Sequence, residues 1–112
     1  MNATRTLIAS ELRSYREAIA AVLRDLRSDV EVFEAEPGDL NREVLRLRPD
    51  LVICSQATSL VKERVQNWIE LYPECEPYSM VCIQGRLETV EEMQLSDLIA
   101  IVDRTTHVAH PS

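Results

Sequence analysis

The sequence predicts an α/β domain built on a parallel sheet, and three observations lead to this fold class. Short apolar runs alternate with stretches in which apolar residues recur at helical spacing, as in strand–helix–strand units. Proline and glycine residues separate several of these stretches. The chain has 112 residues, enough for one hydrophobic core but not for two. We therefore expect one domain over residues 1–104, with right-handed crossovers, and a disordered tail over 105–112.

The first half of the chain divides into three strands and two helices. The apolar run 5–9 predicts the first strand, and the helical spacing that follows predicts a helix with Ser10 as its N-cap and Glu11 in its first turn. Residues 29–35 predict a strand with one less buried face, at a sheet edge. A short helix then precedes an almost continuously apolar strand over 50–55, which is typical of a central parallel strand.

The second half is predicted to contain two helices and two strands. The predicted elements are, in order, a helix from about Ser59 to Pro73, a strand over 78–83, a short acidic helix over 89–94 and a strand over 98–102. Trp68 and Tyr72 fall on the apolar stripe of the first of these helices, which indicates packing and not a binding site. No helical pattern follows Asp103.

Composition and charge argue against several classes of protein. The formal charge of −7 and the pI of about 4.8 argue against nucleic acid as a direct partner, because binding to phosphates depends on clustered Lys and Arg. No apolar run approaches the length of a membrane span or of a secretory signal, so we expect no membrane association and a cytoplasmic protein. Three cysteines without a C-x-x-C pair indicate neither a disulfide framework nor a zinc site. Two isolated glycines do not make a phosphate-binding loop, so we expect no cofactor.

Two stretches of sequence carry a family resemblance. LIASELRSYREAIAAVL reads as a strand running into a helix, and RPDLVICS reads as the approach to a strand end. Both resemble the receiver domains of bacterial response regulators, especially the receivers that precede LuxR-type DNA-binding domains. The resemblance extends from about Thr4 to Asp103. It implies a flavodoxin-like three-layer sandwich with a five-stranded parallel sheet in the order 2-1-3-4-5 and a site at the carboxyl ends of the strands.

The same resemblance implies a degenerate phosphorylation pocket. A receiver holds Mg²⁺ with two acids after its first strand, takes phosphate on an aspartate after its third, and uses a Ser or Thr after the fourth and a Lys after the fifth. The corresponding positions in this chain are Ser10 and Glu11 for the acids, Ser55 for the acceptor, Cys82 or Ile83 for the hydroxyl and 102–104 for the lysine. A serine hydroxyl cannot form an acyl phosphate. We therefore expect no phosphorylation, no bound metal and no catalytic residue.

Other interpretations of these polar residues remain open. Ser10, Glu11, Ser55 and Gln84 can instead line a crevice for a small polar ligand, or the serines can be simple helix-cap and strand-end residues. A serine hydrolase is not expected, because both histidines of the chain lie in the tail, away from any serine nucleophile. We assign the H-x-x-H spacing of that tail, at 107–110, to a solvated terminus and not to a metal site.

The resemblance also predicts an incomplete sheet face. A complete receiver has a fifth helix packed beside the first, whereas only nine residues follow Asp103 here. We expect this last helix to be missing, so that a protein partner or a second copy covers the apolar face left open. The resulting hypothesis is a non-phosphorylatable receiver-like domain, not an enzyme, which acts by protein–protein interaction in bacterial signal transduction or transcriptional regulation. The alternatives are a small-ligand-binding flavodoxin-like domain that uses the strand-end pocket, and the receiver half of a DNA-binding response regulator.

Overall fold

A six-stranded mixed sheet forms the centre of this α/β protein. The computed structural model describes residues 4–71 and 77–109, the last two by their backbone only. In chain order the elements are β1 (Thr4–Ala9), α1 (Arg13–Leu26), β2 (Val30–Glu34), α2 (Leu40–Leu47), β3 (Leu51–Cys54), α3 (Ser59–Arg64), β4 (Asn67–Glu70), β5 (Tyr78–Ile83), β6 (Arg86–Glu91) and α4 (Leu95–Ala109).

The order of the strands is β2-β1-β3-β4-β5-β6. The first four of these are parallel, whereas β5 is antiparallel to both β4 and β6. The reversal between β5 and β6 is a two-residue turn in which Gln84 and Gly85 both have positive φ, at 51° and 82°. A turn of this kind matches the right-handed twist of the paired strands, and glycine adopts such a φ without steric cost.

Helices cover both faces of the sheet and produce two apolar clusters. Helices α1 and α4 supply Ile19, Leu23 and Leu98 to the cluster on one face, where Ile8 belongs to the sheet. Helices α2 and α3 supply the second cluster, in which Leu7 belongs to the same strand as Ile8. Neighbouring residues of β1 enter opposite clusters because side chains alternate across a strand. The fold is therefore a three-layer sandwich.

The structure confirms most of the predictions for the first half of the chain. Strands β1, β2 and β3 and helices α1 and α2 lie where the sequence placed them, β2 is an edge strand, and all of β3 is buried. The predicted start of α1 is wrong. Leu12 is the N-cap residue and makes no side-chain capping bond, so Ser10 is not the cap and Glu11 precedes the first turn. Ser10 is instead buried.

The prediction of a helix from Ser59 to Pro73 is wrong beyond Arg64. Trp68 and Ile69 belong to β4, where they pair with Val52 and Ile53 of β3. Both side chains are buried, on opposite faces of the sheet. A short apolar run can fit either period, and here the pairing with the central strand decides in favour of a strand. The predictions for Tyr72 and Pro73 fall outside the described residues.

Two further predictions for the second half are also wrong. The helix predicted over 89–94 does not form, because residues 89–91 belong to β6 and 92–94 to the connection that follows it. Residues 98–102, predicted as a strand, lie inside α4. The Asp97 carboxylate accepts a hydrogen bond of 2.8 Å from the Gln94 backbone N–H, which is one half of a capping box and marks the start of that helix. The expectation of a non-helical tail is wrong for residues 105–109. Residues 110–112, with the second histidine, lie outside the described residues.

Helix α4 also overturns the expectation that the last helix is missing. It packs on the sheet face that α1 covers and contributes Leu98, Ile101 and Val102 to the cluster there. The Arg27 guanidinium joins the two helices through bonds of 2.7 and 2.9 Å to both carboxylate oxygens of Asp103. The expected five-stranded parallel sheet and the open face beside α1 are therefore wrong. None of the described helices has the length and apolar character that crossing a membrane requires.

Candidate functional site

The structure brings Ser10, Glu11 and Ser55 together, as predicted from the order of the first strands. β1 and β3 are neighbours, with Ala9 opposite Cys54, so the residues that follow them meet at one edge of the sheet. The Glu11 backbone N–H donates a hydrogen bond of 2.9 Å to the Ser55 hydroxyl, which lies 3.5 Å from the Ser10 hydroxyl. We call these three residues the serine junction.

Cys82, Ile83 and Gln84 do not join the serine junction. Because β5 is antiparallel to β4, its last residue, Ile83, lies opposite Asn67, the first residue of β4. The Gln84 backbone N–H is bound there by the Asn67 side-chain oxygen at 3.0 Å. These residues therefore lie at the opposite end of the sheet, where the parallel strands begin. The predicted lysine position, 102–104, is part of α4 and not the end of a strand.

A buried arginine beside the serine junction was not predicted. The Arg16 guanidinium donates hydrogen bonds to the Ser10 carbonyl at 3.0 Å and to a Glu36 carboxylate oxygen at 3.1 Å. Its Nε lies 3.9 Å from a Glu34 carboxylate oxygen, which is too long for a hydrogen bond. The Arg16 side chain is only 7% exposed. Arg16 thus places a positive charge next to the Ser10 carbonyl, inside the protein.

The sequence did contain a signal for this arginine. Arg16 is three residues before Ile19 and seven before Leu23, and all three side chains are buried on one face of α1. A charged residue in line with an apolar stripe is unusual, because a buried charge needs partners. Two acidic residues supply them, Glu34 as the last residue of β2 and Glu36 just after it.

The neighbouring strand ends also use their polar groups internally. The Glu70 carboxylate, at the end of β4, accepts a hydrogen bond of 2.6 Å from the Ala57 backbone N–H. The Leu71 backbone N–H donates to the Cys54 carbonyl at 2.8 Å. Burial, together with the nearby Glu70 carboxylate, raises the pKa of the Cys54 thiol to about 12. Because the thiolate is the reactive form, Cys54 is an inert core residue in the folded protein.

The arrangement at this edge suits structural support better than catalysis. A serine nucleophile needs a base within hydrogen-bonding reach. The Ser55 hydroxyl bonds to the Ser10 hydroxyl and to the Glu11 backbone N–H, neither of which is a base, and His107 lies near the end of α4. No group of three or more histidine, cysteine or acidic side chains suited to a metal ion occurs in the described parts of the chain.

A groove of about 680 Å³ opens at the end of the sheet opposite the serine junction. It lies between the β5–β6 turn and the last turns of α4, and it is lined by Ile83, Gln84, Arg86, Asp103, Arg104 and His107. The acids nearby are paired, Asp103 with Arg27 and Glu88 with Arg104. The hydrogen bond from Arg27 lowers the pKa of the Asp103 carboxyl, which therefore stays ionised at neutral pH. Arg86, which lines the groove and has no ion pair among the described residues, gives the groove a net positive charge.

Comparison with models of known protein families, with curated proteins and with solved structures gave no match to this chain.

Proposed function

We propose that this chain is a non-phosphorylatable receiver-like domain that acts by protein–protein interaction, in bacterial signal transduction or transcriptional regulation, in the cytoplasm and without enzymatic activity. The observation that carries the proposal is the serine junction. Hydroxyl groups that lie 3.5 Å apart occupy the two strand ends where a receiver needs carboxylates. The Ser55 hydroxyl donates to the Ser10 hydroxyl and accepts from the Glu11 backbone N–H, so both hydroxyls have partners within the fold.

The charges around the serine junction support the loss of phosphotransfer. Carboxylate oxygens are what a receiver uses to bind Mg²⁺, and here Glu11 is the one acid within the junction. The Arg16 guanidinium, held against the Ser10 carbonyl at 3.0 Å, pairs with the nearby Glu36 carboxylate, which is therefore not free to bind a cation. The guanidinium is buried and fixed by Glu36, so it cannot easily withdraw.

The topology supports a receiver-like scaffold that is altered in its second half. The order β2-β1-β3-β4-β5 is that of a flavodoxin-like sheet. The antiparallel β5 and the added β6 depart from that fold. The strand in the position that carries the switch hydroxyl of a receiver is β4, which lies parallel beside β3 and ends at Glu70 instead of at a Ser or Thr. A phosphate at the serine junction would have no such group to report its presence.

A second candidate function is the binding of a small anion, and the groove at the end of the sheet opposite the serine junction favours it. Arg86, Arg104 and His107 face this groove, which has the volume of a small-molecule site. Thermal denaturation in the presence of citrate or inorganic phosphate, compared with chloride at equal ionic strength, tests this candidate. A stabilisation that disappears in the Arg86→Gln variant supports it, whereas equal stability in all three salts rejects it.

A metal-binding comparison tests the proposed function. The wild-type protein and the Ser10→Asp/Ser55→Asp variant are denatured thermally with and without Mg²⁺ and beryllofluoride. We expect no shift for the wild type. The variant brings two carboxylates next to Glu11 and is expected to gain a Mg²⁺-dependent stabilisation. A Mg²⁺-dependent shift of the wild-type protein would contradict the proposal, because it would show that the serine junction holds the metal unaided.

A further inference from the structure

The outermost strands of the sheet, β2 and β6, differ in how the backbone groups on their outer sides are used. At the β2 edge, the Arg24 guanidinium donates a hydrogen bond of 3.0 Å to the Val32 carbonyl. That carbonyl faces outward, because the Ala35 N–H bonds to Ile8 of β1 and backbone direction alternates along a strand. Arg24 also pairs with Glu34. The β2 edge is therefore covered by a side chain of α1.

At the β6 edge, the described residues provide no such cover. The Glu92 N–H bonds to the Pro77 carbonyl, which fixes the alternation of the hairpin: the pairs Ser79–Val90, Val81–Glu88 and Ile83–Arg86 exchange hydrogen bonds. The backbone N–H and C=O groups of the three residues between them point away from β5; these are Leu87, Thr89 and Glu91. No hydrogen bond from outside the hairpin reaches these groups among the described residues.

The side chains of β6 also suit an interface. Leu87 is 61% exposed and lies beside Cys82 of β5, at the margin of the second apolar cluster. The strand contains no proline, no lysine and no bulge, the devices that usually protect an edge from pairing. Its central charge, Glu88, is already paired with Arg104 of α4 at 3.0 Å.

We propose that β6 pairs with β6 of a second copy of this chain, in antiparallel orientation, to give one continuous sheet across a twofold axis. The axis stands perpendicular to the sheet, so facing residues lie on the same side of it. Two registers then pair most of the strand. A register centred on Glu88 places two glutamates directly opposite, at the closest side-chain distance in such a ladder, which is unfavourable.

The register centred on Thr89 avoids this repulsion. It places Thr89 opposite Thr89 of the second copy, and threonine pairs are favourable in sheets. Leu87 faces Glu91 of the second copy, whose aliphatic part can cover it. Arg86, which has no ion pair among the described residues, then approaches Glu92 of the second copy. About six backbone hydrogen bonds form along Leu87, Thr89 and Glu91.

The second copy is one partner for the receiver-like domain, and the biological meaning of the dimer rests on that proposed function. The two can fail separately. A monomeric wild-type protein would overturn the dimer, whereas a Mg²⁺-dependent thermal shift of the wild type would overturn the proposal of a non-phosphorylatable receiver-like domain.

Sedimentation velocity from low micromolar to near-millimolar protein tests the dimer. Pairing of a single strand buries a small interface, so we expect a weak dimer whose fraction rises with concentration. The Leu87→Glu variant sets a glutamate opposite Glu91 of the second copy at both ends of the ladder. Dimerisation is expected to weaken by about tenfold. The Leu45→Glu variant is the matched control, because Leu45 is a similarly exposed leucine, at 58%, on α2. It should dimerise as the wild type does.

A rescue variant tests the register. Adding Glu91→Lys to Leu87→Glu replaces each repulsive pair with an attractive one and should restore dimerisation. Residues 87 and 91 of one chain lie four positions apart in an extended strand, too far to pair with each other, so only the second copy can supply the contact. A wild type that stays monomeric, a Leu87→Glu variant that dimerises normally, or a rescue variant that does not recover would each overturn the proposal.

Discussion

Replacement of the buried Arg16 by methionine is expected to destabilise the fold by about 2 kcal/mol. The variant keeps most of the aliphatic packing but removes the guanidinium that donates to the Ser10 carbonyl. A hydrogen bond to a charged group contributes about 1.5–3 kcal/mol. The ion pair with Glu36 adds about 0–1 kcal/mol, because that side chain is 66% exposed. Methionine avoids the desolvation of a charge, which offsets part of the loss.

Urea denaturation at neutral pH measures this loss. With a slope of about 2 kcal/mol per molar, the midpoint should fall by about 1 M with an unchanged slope. Glu36→Gln is the matched comparison and should cost about 0.5 kcal/mol or less, because Arg16 keeps its bond to Ser10. If Arg16→Met unfolds within about 0.5 kcal/mol of the wild type, the guanidinium does not hold the strand ends together and our reasoning about this site is refuted.

Three further predictions concern the hydroxyls, turns and charges outside this site. Thr6→Val should leave stability in urea unchanged or raise it by about 1 kcal/mol, because the buried Thr6 hydroxyl finds no hydrogen-bond partner in the described part of the chain; a clear loss would show that the hydroxyl is satisfied. Gly85→Ala should destabilise the β5–β6 hairpin by about 1 kcal/mol, because Gly85 has φ of 82°. Gly38→Ala, where an added Cβ meets nothing within 4 Å, is its control and should be nearly neutral. Asp103→Asn should lower stability at neutral pH, because Arg27 holds the Asp103 pKa below its usual value in the folded state. The ionised Asp103 carboxylate stabilises the fold above the unfolded-state pKa of about 4, and this contribution is lost as the pH falls through the lower pKa of the folded state. The difference in stability between variant and wild type should therefore vanish in acid. A difference that persists there would rule out the charge as its cause.

The first half of the chain could be predicted from sequence because its local patterns and its tertiary contacts agree. The continuous apolar run that forms β3 fits a central strand, and Val30 and Val32 fit an edge strand. The meeting of Ser10 and Ser55 followed from these assignments, since parallel neighbours end at the same edge. The exception was the start of α1, where an exposed Leu12 and not a polar residue precedes the helix.

The second half could not be predicted because its local patterns were ambiguous. Residues 98–102 are continuously apolar, which suits a buried strand or a buried helix equally, and only their continuation to Thr105 on the buried side of α4 decides. The direction of β5 is set by its pairing with β4 and β6, and nothing within its own sequence encodes that direction. The prediction therefore placed Cys82 at the end of the sheet that holds Ser10 and Ser55, whereas it lies at the opposite end.

The most direct test of the central claim is the intact mass of the wild-type protein after incubation with Mg²⁺ and acetyl phosphate. A phosphorylatable receiver treated in parallel serves as the positive control. Because Ser10 and Ser55 present hydroxyls where carboxylates are needed, we expect this protein to keep its unmodified mass. A phosphoryl adduct mapped to the serine junction would contradict the account.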